Sequence, residues 1–262
     1  MKKLSGLLAI LFLLTSCGSV PLTGRRQILL VSDTELVSAS LTQYNDFMKT
    51  ASLSTDKTKT ATVERVGNRI SAATESYLKQ NGLANELANF QWEFKLVKDN
   101  QVNAFCMPGG KIVVFEGLLP LIASDDELAV VIGHEIAHAI AKHSNERMSQ
   151  ALLAQYGSAI VDEALSTRTA AVKTLGNTVF GLGAQLGVML PYSRTQEYEA
   201  DYLGMILMTL AGYNPESTIS FWKKMSAGGS GSGSDFLSTH PSDDKRIAEL
   251  QKRLPEMAKY KN

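Results

Sequence analysis

Cysteine is scarce. The 262 residues hold only Cys17 and Cys106, which excludes a disulfide framework as the main source of stability. Excess charge is missing as well: lysine and arginine number 26 and aspartate and glutamate 26, so no global field attracts nucleic acid. Long apolar runs are also lacking. The run from Leu7 to Leu14 is too short for a comfortable membrane span, and the uncharged stretch from Thr174 to Leu190 is interrupted by Asn177, Gln185 and several glycines. What remains, with 44% hydrophobic residues, is enough for one sizeable core.

The most informative stretch is Gly133-His134-Glu135-Ile136-Ala137-His138, set in an apolar helix. At about 100° per residue, His134 and His138 project within about 40° of each other and Glu135 flanks them. Two neutral imidazoles one turn apart are the usual protein contribution to a catalytic zinc, and the glutamate between them is placed to take a proton from water at the metal. The apolar neighbours Leu128, Val131, Ile132 and Ile136 strengthen this reading, because a buried histidine pair needs a partner that offsets its desolvation.

Taken in order, the chain opens with Lys2 and Lys3 before the apolar run, the pattern of a secretory signal over residues 1–16. Leu14-Thr15-Ser16-Cys17 resembles a bacterial lipobox. That likeness implies that Cys17 is the lipidated first residue of the mature chain and that Gly18, not being aspartate, favours the outer membrane. Residues 17–31 read as a tether with Arg25 and Arg26 in solvent, holding on the membrane a domain that runs over residues 32–262. Ser32-Asp33-Thr34-Glu35 caps a helix, and a second helix is expected from Thr60 to Lys79. From Gln91 the period shortens to two. Extended runs around Trp92 to Leu96, Val102 to Met107 and Lys111 to Phe115, the last two joined through Pro108-Gly109-Gly110, predict a small antiparallel sheet ahead of the histidine helix. Ser124-Asp125-Asp126-Glu127 caps that helix about ten residues before His134.

Further along, His143 falls about 180° from His134 on a continuous helix and reads as a surface residue. Ala151 to Leu190 suggests a packed helical hairpin, and Ala227 to Ser234 a mobile glycine-serine loop. Glu197 and Asp201 lie one turn apart at the start of another helix, with Glu199 about 200° from Glu197. A carboxylate from a second helix would complete a three-ligand zinc site, and Asp201 could receive the outer N–H of a ligand histidine and set its tautomer. Read by spacing alone, His240 is a surface residue before a charged helix. Cys106 is a packed thiol rather than a nucleophile, with no histidine fixed near it.

Four segments in order resemble the M48 zinc metallopeptidases, which include the Ste24, HtpX and Oma1 proteases and periplasmic lipoproteins. They are Asn103-Ala104-Phe105 with Pro108-Gly109-Gly110, the helix from His134 to His138, Glu197-x-x-Ala200-Asp201, and Thr239-His240-Pro241. The resemblance implies an α+β, mainly helical gluzincin-like fold with one zinc per chain. It puts His134, His138 and Glu197 on the metal, Glu135 as general base and Asp201 behind a ligand. Asn103, Ala104 and Phe105 become an edge strand that pairs with polypeptide substrates, a mode that reads main chain more than side chain. It places His240 near the metal, either stabilising the oxyanion or filling the open zinc position at rest. The expected activity is endopeptidase cleavage of unfolded or misassembled envelope proteins in the periplasm. An outer-membrane chaperone or assembly factor with a mostly latent zinc site, working with assembly machinery, is the alternative.

Overall fold

The computed structural model describes residues 17–166, 192–227, Phe236, His240 and residues 244–261. The signal segment 1–16, the hairpin beyond residue 166, most of the glycine-serine loop and the residues flanking His240 lie outside the described residues.

Serines begin the helices that matter. Ser32 accepts from the Glu35 amide to start α1 (Asp33–Thr50), whose Leu36, Tyr44 and Phe47 are buried. Asp56 starts α2 (Lys57–Gln80), which buries Val63, Val66, Ile70 and Leu78 and runs slightly beyond the expected span. Ser124 accepts from the Glu127 amide to start α3 (Asp125–Ile140), where acidic Asp125, Asp126 and Glu127 suit the positive end of the helix dipole. Next come α4 (His143–Ser166), α5 (Arg194–Leu210), α6 (Glu216–Ala227) and α7 (Asp244–Arg253). Among the described residues no helix is long and apolar enough to cross a membrane.

Two short N-terminal strands, β1 (Cys17–Ser19) and β2 (Arg26–Ile28), pair antiparallel as a ribbon. The main sheet holds β3 (Glu93–Val97), β4 (Ala104–Met107) and β5 (Lys111–Phe115) in the order β3-β5-β4. The expected hairpin is present: β4 and β5 are antiparallel, and Gly109 and Gly110 turn the chain with φ of 91° and 84°, values that favour glycine. The sheet as a whole is mixed rather than antiparallel, because β3 runs parallel to β5. The connection after β3 carries the chain past the place of β5, so β4 lands on the far side and the hairpin returns β5 to the centre. β5 is covered on both faces, with Ile112, Val113, Val114 and Phe115 all fully buried. One face packs Ile112, Val114, Ala104 and Cys106 into the core shared with α3. The other packs Val113, Phe105 and Met107 against Leu36 and Phe47 of α1.

α3 crosses α5 at Gly133 and Gly204. A Cβ on Gly204 would sit 2.8 Å from the His134 amide nitrogen, and one on Gly133 would sit 3.0 Å from the Gly204 carbonyl oxygen. Only glycine at both positions lets the two backbones touch.

The segment 17–31, expected as a solvated tether, is folded instead. Val20, Gln27, Leu30 and Val31 are buried, the Leu30 amide donates to Ser149 Oγ at 2.8 Å, and Asn145 Nδ2 donates to the Val31 carbonyl at 2.8 Å. Arg25 is not in solvent but forks onto Glu146 with two 2.8 Å bonds.

Candidate metal centre

The glycine crossing sets Glu197 and Asp201 of α5 against His134, Glu135 and His138 of α3, all of them buried. His240 reaches the same place from the chain ahead of α7. His134, His138, Glu197 and His240 each turn one donor atom inward, and these atoms lie within 4.8 Å of one another. His134 Nε2 is 3.0 Å from His138 Nε2 and 3.2 Å from His240 Nδ1. Glu197 Oε1 is 3.3 Å from His138 Nε2 and 3.1 Å from His240 Nδ1, and its Oε2 is 3.4 Å from His134 Nε2.

These residues fit zinc on three grounds. Zinc–nitrogen bonds of 2.0–2.1 Å put tetrahedral donors about 3.3 Å apart, close to the separations above. Three nitrogens and a carboxylate converging in the dark of a core need a cation among them, since lone pairs brought together otherwise repel. Charge agrees: buried Glu197 and Asp201 share the guanidinium of Arg246 and buried Glu135 lies beside them, so a divalent cation among the donors offsets negative charge that the core would otherwise hold.

The protonation preferences follow the same need. Burial opposes a charge on His134, but bonds to Asp201 and Glu197 outweigh it and its pKa is pushed up to about 9. Burial would raise Glu197, yet His240, His134 and His138 together hold it well below the usual carboxylate range. Burial keeps His138 well below the ordinary imidazole value despite the pull of Glu197.

Asp201 Oδ1 lies 2.9 Å from His134 Nδ1, on the outer side of that ring as expected. Arg246 holds Asp201 by Nε and Nη2, each at 2.7 Å, reaches Glu197 Oε2 with Nη1 at 3.1 Å, and stacks on Trp222 at 3.9 Å. Tyr192 stacks on His138 with centroids 3.8 Å apart. Burial raises the pKa of Glu135, and among the described residues neither of its oxygens makes a hydrogen bond of normal geometry; the nearest ring nitrogen, His240 Nε2, is 3.4 Å away.

His143 is not on the surface. The helix is not continuous: α3 ends at Ile140, Lys142 takes φ of 55°, and α4 starts at His143. That break swings His143 back, fully buried, with Nδ1 2.8 Å from His138 Nδ1. His240, which spacing alone placed at the surface, is 2% exposed.

Among the described residues β4 is an edge strand beside the centre. The Asn103 carbonyl accepts from Phe115 and its Oδ1 from the Ala104 amide, so the alternate main-chain groups of β4 face away from β5. The Phe105 ring is buried against Phe47 and Phe115, with centroids 5.6 and 6.0 Å away, and its main chain opposes Val113 on the β5 side, so the outward main-chain groups are those of Ala104 and Cys106. Cys106 is buried, its thiol pushed well up by burial and donating to the Met107 carbonyl, as a packed thiol should be.

Residues 58–254, which include every one of these donors, match Peptidase family M48. The chain belongs to that family. Zinc is therefore the metal that the four donors suit. The mitochondrial metalloendopeptidase OMA1 of Schizosaccharomyces pombe is 39% identical over 172 residues, 65% of this chain and 49% of that protein. The metalloprotease YcaL of Escherichia coli is 24% identical, covering 72% of this chain and 74% of its own. The beta-barrel assembly-enhancing protease of Yersinia pestis is 26% identical, covering 77% and 40%. The chain spans about half the length, or less, of the OMA1 proteins it matches.

Arg246, Tyr192 and Glu146, which surround this M48 centre, went unread in the sequence, while Glu199 was read only as turned away from Glu197 and Arg25 as solvated. Arg246 sits in a strongly charged helix where residue type does not separate a buried guanidinium from solvated ones. Arg25 comes from a segment with no periodicity at all.

Proposed function

We propose that this M48 protein is a zinc-dependent endopeptidase acting on unfolded or misassembled envelope proteins. The observation that carries the reading is the buried Glu135 carboxylate, without a hydrogen bond of normal geometry among the described residues, beside the four convergent donors. His134, His138 and Glu197 would hold the metal. Bound there, zinc polarises the scissile carbonyl and acidifies a water. Glu135 takes the proton of the attacking water on a carboxylate oxygen and passes it to the leaving amine. Asp201 fixes the His134 ring through Nδ1, and the free edge of β4 aligns an extended substrate backbone.

A second reading, a mostly latent site, draws on one segment. Phe236 donates its amide to the Val102 carbonyl at 2.9 Å, just ahead of β4, while His240, on the same turn, puts Nδ1 among the metal donors. Phe236 thus touches the residue just ahead of β4, and His240 touches the fourth donor position. Of the two expectations for His240, this geometry favours the blocking role. An assembly factor that cleaves rarely is compatible with it, and one relative is named for assisting β-barrel assembly.

Lipidation at Cys17 and the periplasmic face of the outer membrane rest on the lipobox-like run. Cys17 begins β1 and Val20 is already buried, so at about 3.3 Å per residue a lipid there would hold the domain within about 10 Å of the bilayer. Labelled fatty acid incorporated by the parent and lost in Cys17→Ser tests this.

The deciding experiment is hydrolysis of unfolded casein by zinc-loaded protein with metal content measured. Parent cleavage with a zinc-replete but inactive Glu135→Gln is expected. Full activity in Glu135→Gln would refute the assignment.

A further inference from the structure

A chain of hydrogen bonds runs from the N-terminal ribbon to the zinc ligand His138. Arg25 donates from Nε to Glu199 Oε2 at 2.6 Å and forks with Nη1 and Nη2 onto the two oxygens of Glu146 at 2.8 Å each. Gln196 Nε2 also donates to Glu146, at 2.8 Å, and Thr23 Oγ1 donates to Glu199 Oε1 at 2.5 Å. His143 Nε2 lies 3.0 Å from Glu199 Oε2, and His143 Nδ1 lies 2.8 Å from His138 Nδ1. His143 is fully buried, and Glu146 and Glu199 are nearly so.

The chemistry leaves one self-consistent arrangement of hydrogens. A carboxylate only accepts, so His143 carries its hydrogen on Nε2. In a neutral ring His143 Nδ1 is then an acceptor. Two Nδ1 atoms 2.8 Å apart need one hydrogen between them, so His138 supplies it from its own Nδ1. That leaves the lone pair of His138 on Nε2, the atom 3.0 Å from His134 Nε2 and 3.3 Å from Glu197 Oε1. With the hydrogens reversed, His138 Nε2 would be protonated and closed to metal.

We propose that Arg25, Glu199 and His143 are positioning residues that fix the tautomer and ring plane of His138, making the N-terminal ribbon part of the metal centre. Arg25 holds the Glu199 carboxylate, Glu199 orients His143, and His143 takes the outer hydrogen of His138. Asp201 Oδ1 stands 2.9 Å from His134 Nδ1 on the opposite side, so each ligand imidazole has a polar neighbour at its outer nitrogen. The inference rests on the zinc reading above, but not on peptidase activity.

The test is zinc affinity of the full chain by competition with a chromophoric chelator, with ¹⁵N-histidine spectra of the zinc-loaded parent. His143→Ala and Arg25→Ala should weaken zinc by about 10–100-fold, as losses of outer partners do. Glu199→Gln keeps an acceptor for His143 and should recover most of the affinity that Glu199→Ala loses, a rescue that simple loss of packing would not give. Exposed Arg65→Ala, which removes only the ion pair to Asp125, should leave zinc unchanged. The parent spectrum should show His138 protonated at Nδ1. Folded Arg25→Ala and His143→Ala proteins with parental zinc affinity, or a His138 hydrogen on Nε2, would overturn the relay. Failure of the peptidase reading would appear separately, as a zinc-binding parent that leaves casein intact.

Discussion

Gly204 of α5 lies against His134 of α3 so closely that a Cβ on the glycine would stand 2.8 Å from the histidine amide nitrogen. The atom in the way belongs to backbone, so no rotamer relieves the clash. Because Gly204 is two turns beyond Glu197 on one rigid helix, the distance between the helices at this point sets the distance from Glu197 to both ligand histidines.

Gly204→Ala should therefore act on stability and metal together. Overpacking of this kind costs about 1–3 kcal/mol, read as a lower urea midpoint. Zinc affinity should fall as well, since Glu197 moves out with its helix. A variant with parental zinc affinity would show that the helices can slide without opening the ligand set.

Arg246 makes a different prediction. It is 1% exposed and bound to the carboxylates of Asp201 and Glu197. Arg246→Met keeps much of the packing against Trp222 but removes the buried guanidinium shared by Asp201 and Glu197, a change that typically costs about 3–5 kcal/mol. Adding Asp201→Asn should return part of that loss, because the buried charge is gone while an oxygen still stands beside His134 Nδ1. The pair is measured by urea unfolding of the two single variants and the double. Strictly additive losses would mean that Arg246 and Asp201 do not act on each other.

How much of this was legible follows from where the information lies. The helix starts were readable because Ser32 and Ser124 satisfy amides three residues on, which is local chemistry. The donors of α3 were readable because one helical turn alone brings His134 and His138 together. The break before His143 was not. Lys142 adopts a left-handed conformation without glycine or asparagine, held by ion pairs to Asp33 at 2.7 Å and Glu86 at 2.8 Å that come from distant parts of the chain. Arg25 was missed for a similar reason, its partners Glu146 and Glu199 being far away in sequence. The parallel pairing of β3 depended on which side of β5 a loop passes, something no strand pattern records.

The Arg25–Glu146 pair also sets a pH dependence. Burial works against the Glu146 charge, but bonds from Arg25 and Gln196 win, so its folded pKa is lowered. A depressed carboxylate contributes stability that is present above its unfolded pKa, about 4.3, and is lost as pH falls through the lower folded value. Glu146→Gln should thus be less stable than the parent at pH 7, and the gap should close below about pH 4. Urea midpoints of both proteins at several pH values read this directly. A gap that widens toward acid would reverse the sign and refute the assignment.

His240 separates its two candidate roles by the direction of its effect. Its Nδ1 is 3.2 Å from His134 Nε2 and 3.1 Å from Glu197 Oε1, the distances of a fourth donor rather than of a group waiting for an oxyanion. If it fills the fourth position, His240→Ala loses a direct donor, and zinc affinity should fall by at least the roughly 10–100-fold effect of losing an outer partner. Turnover of zinc-saturated enzyme on unfolded casein should nevertheless rise, because water and substrate gain the place the ring held. An oxyanion role gives the opposite pattern, with parental zinc affinity and a kcat lower by about 10²–10³. Both quantities unchanged would remove His240 from the mechanism altogether, and the contact of Phe236 with Val102 would then be packing rather than a block.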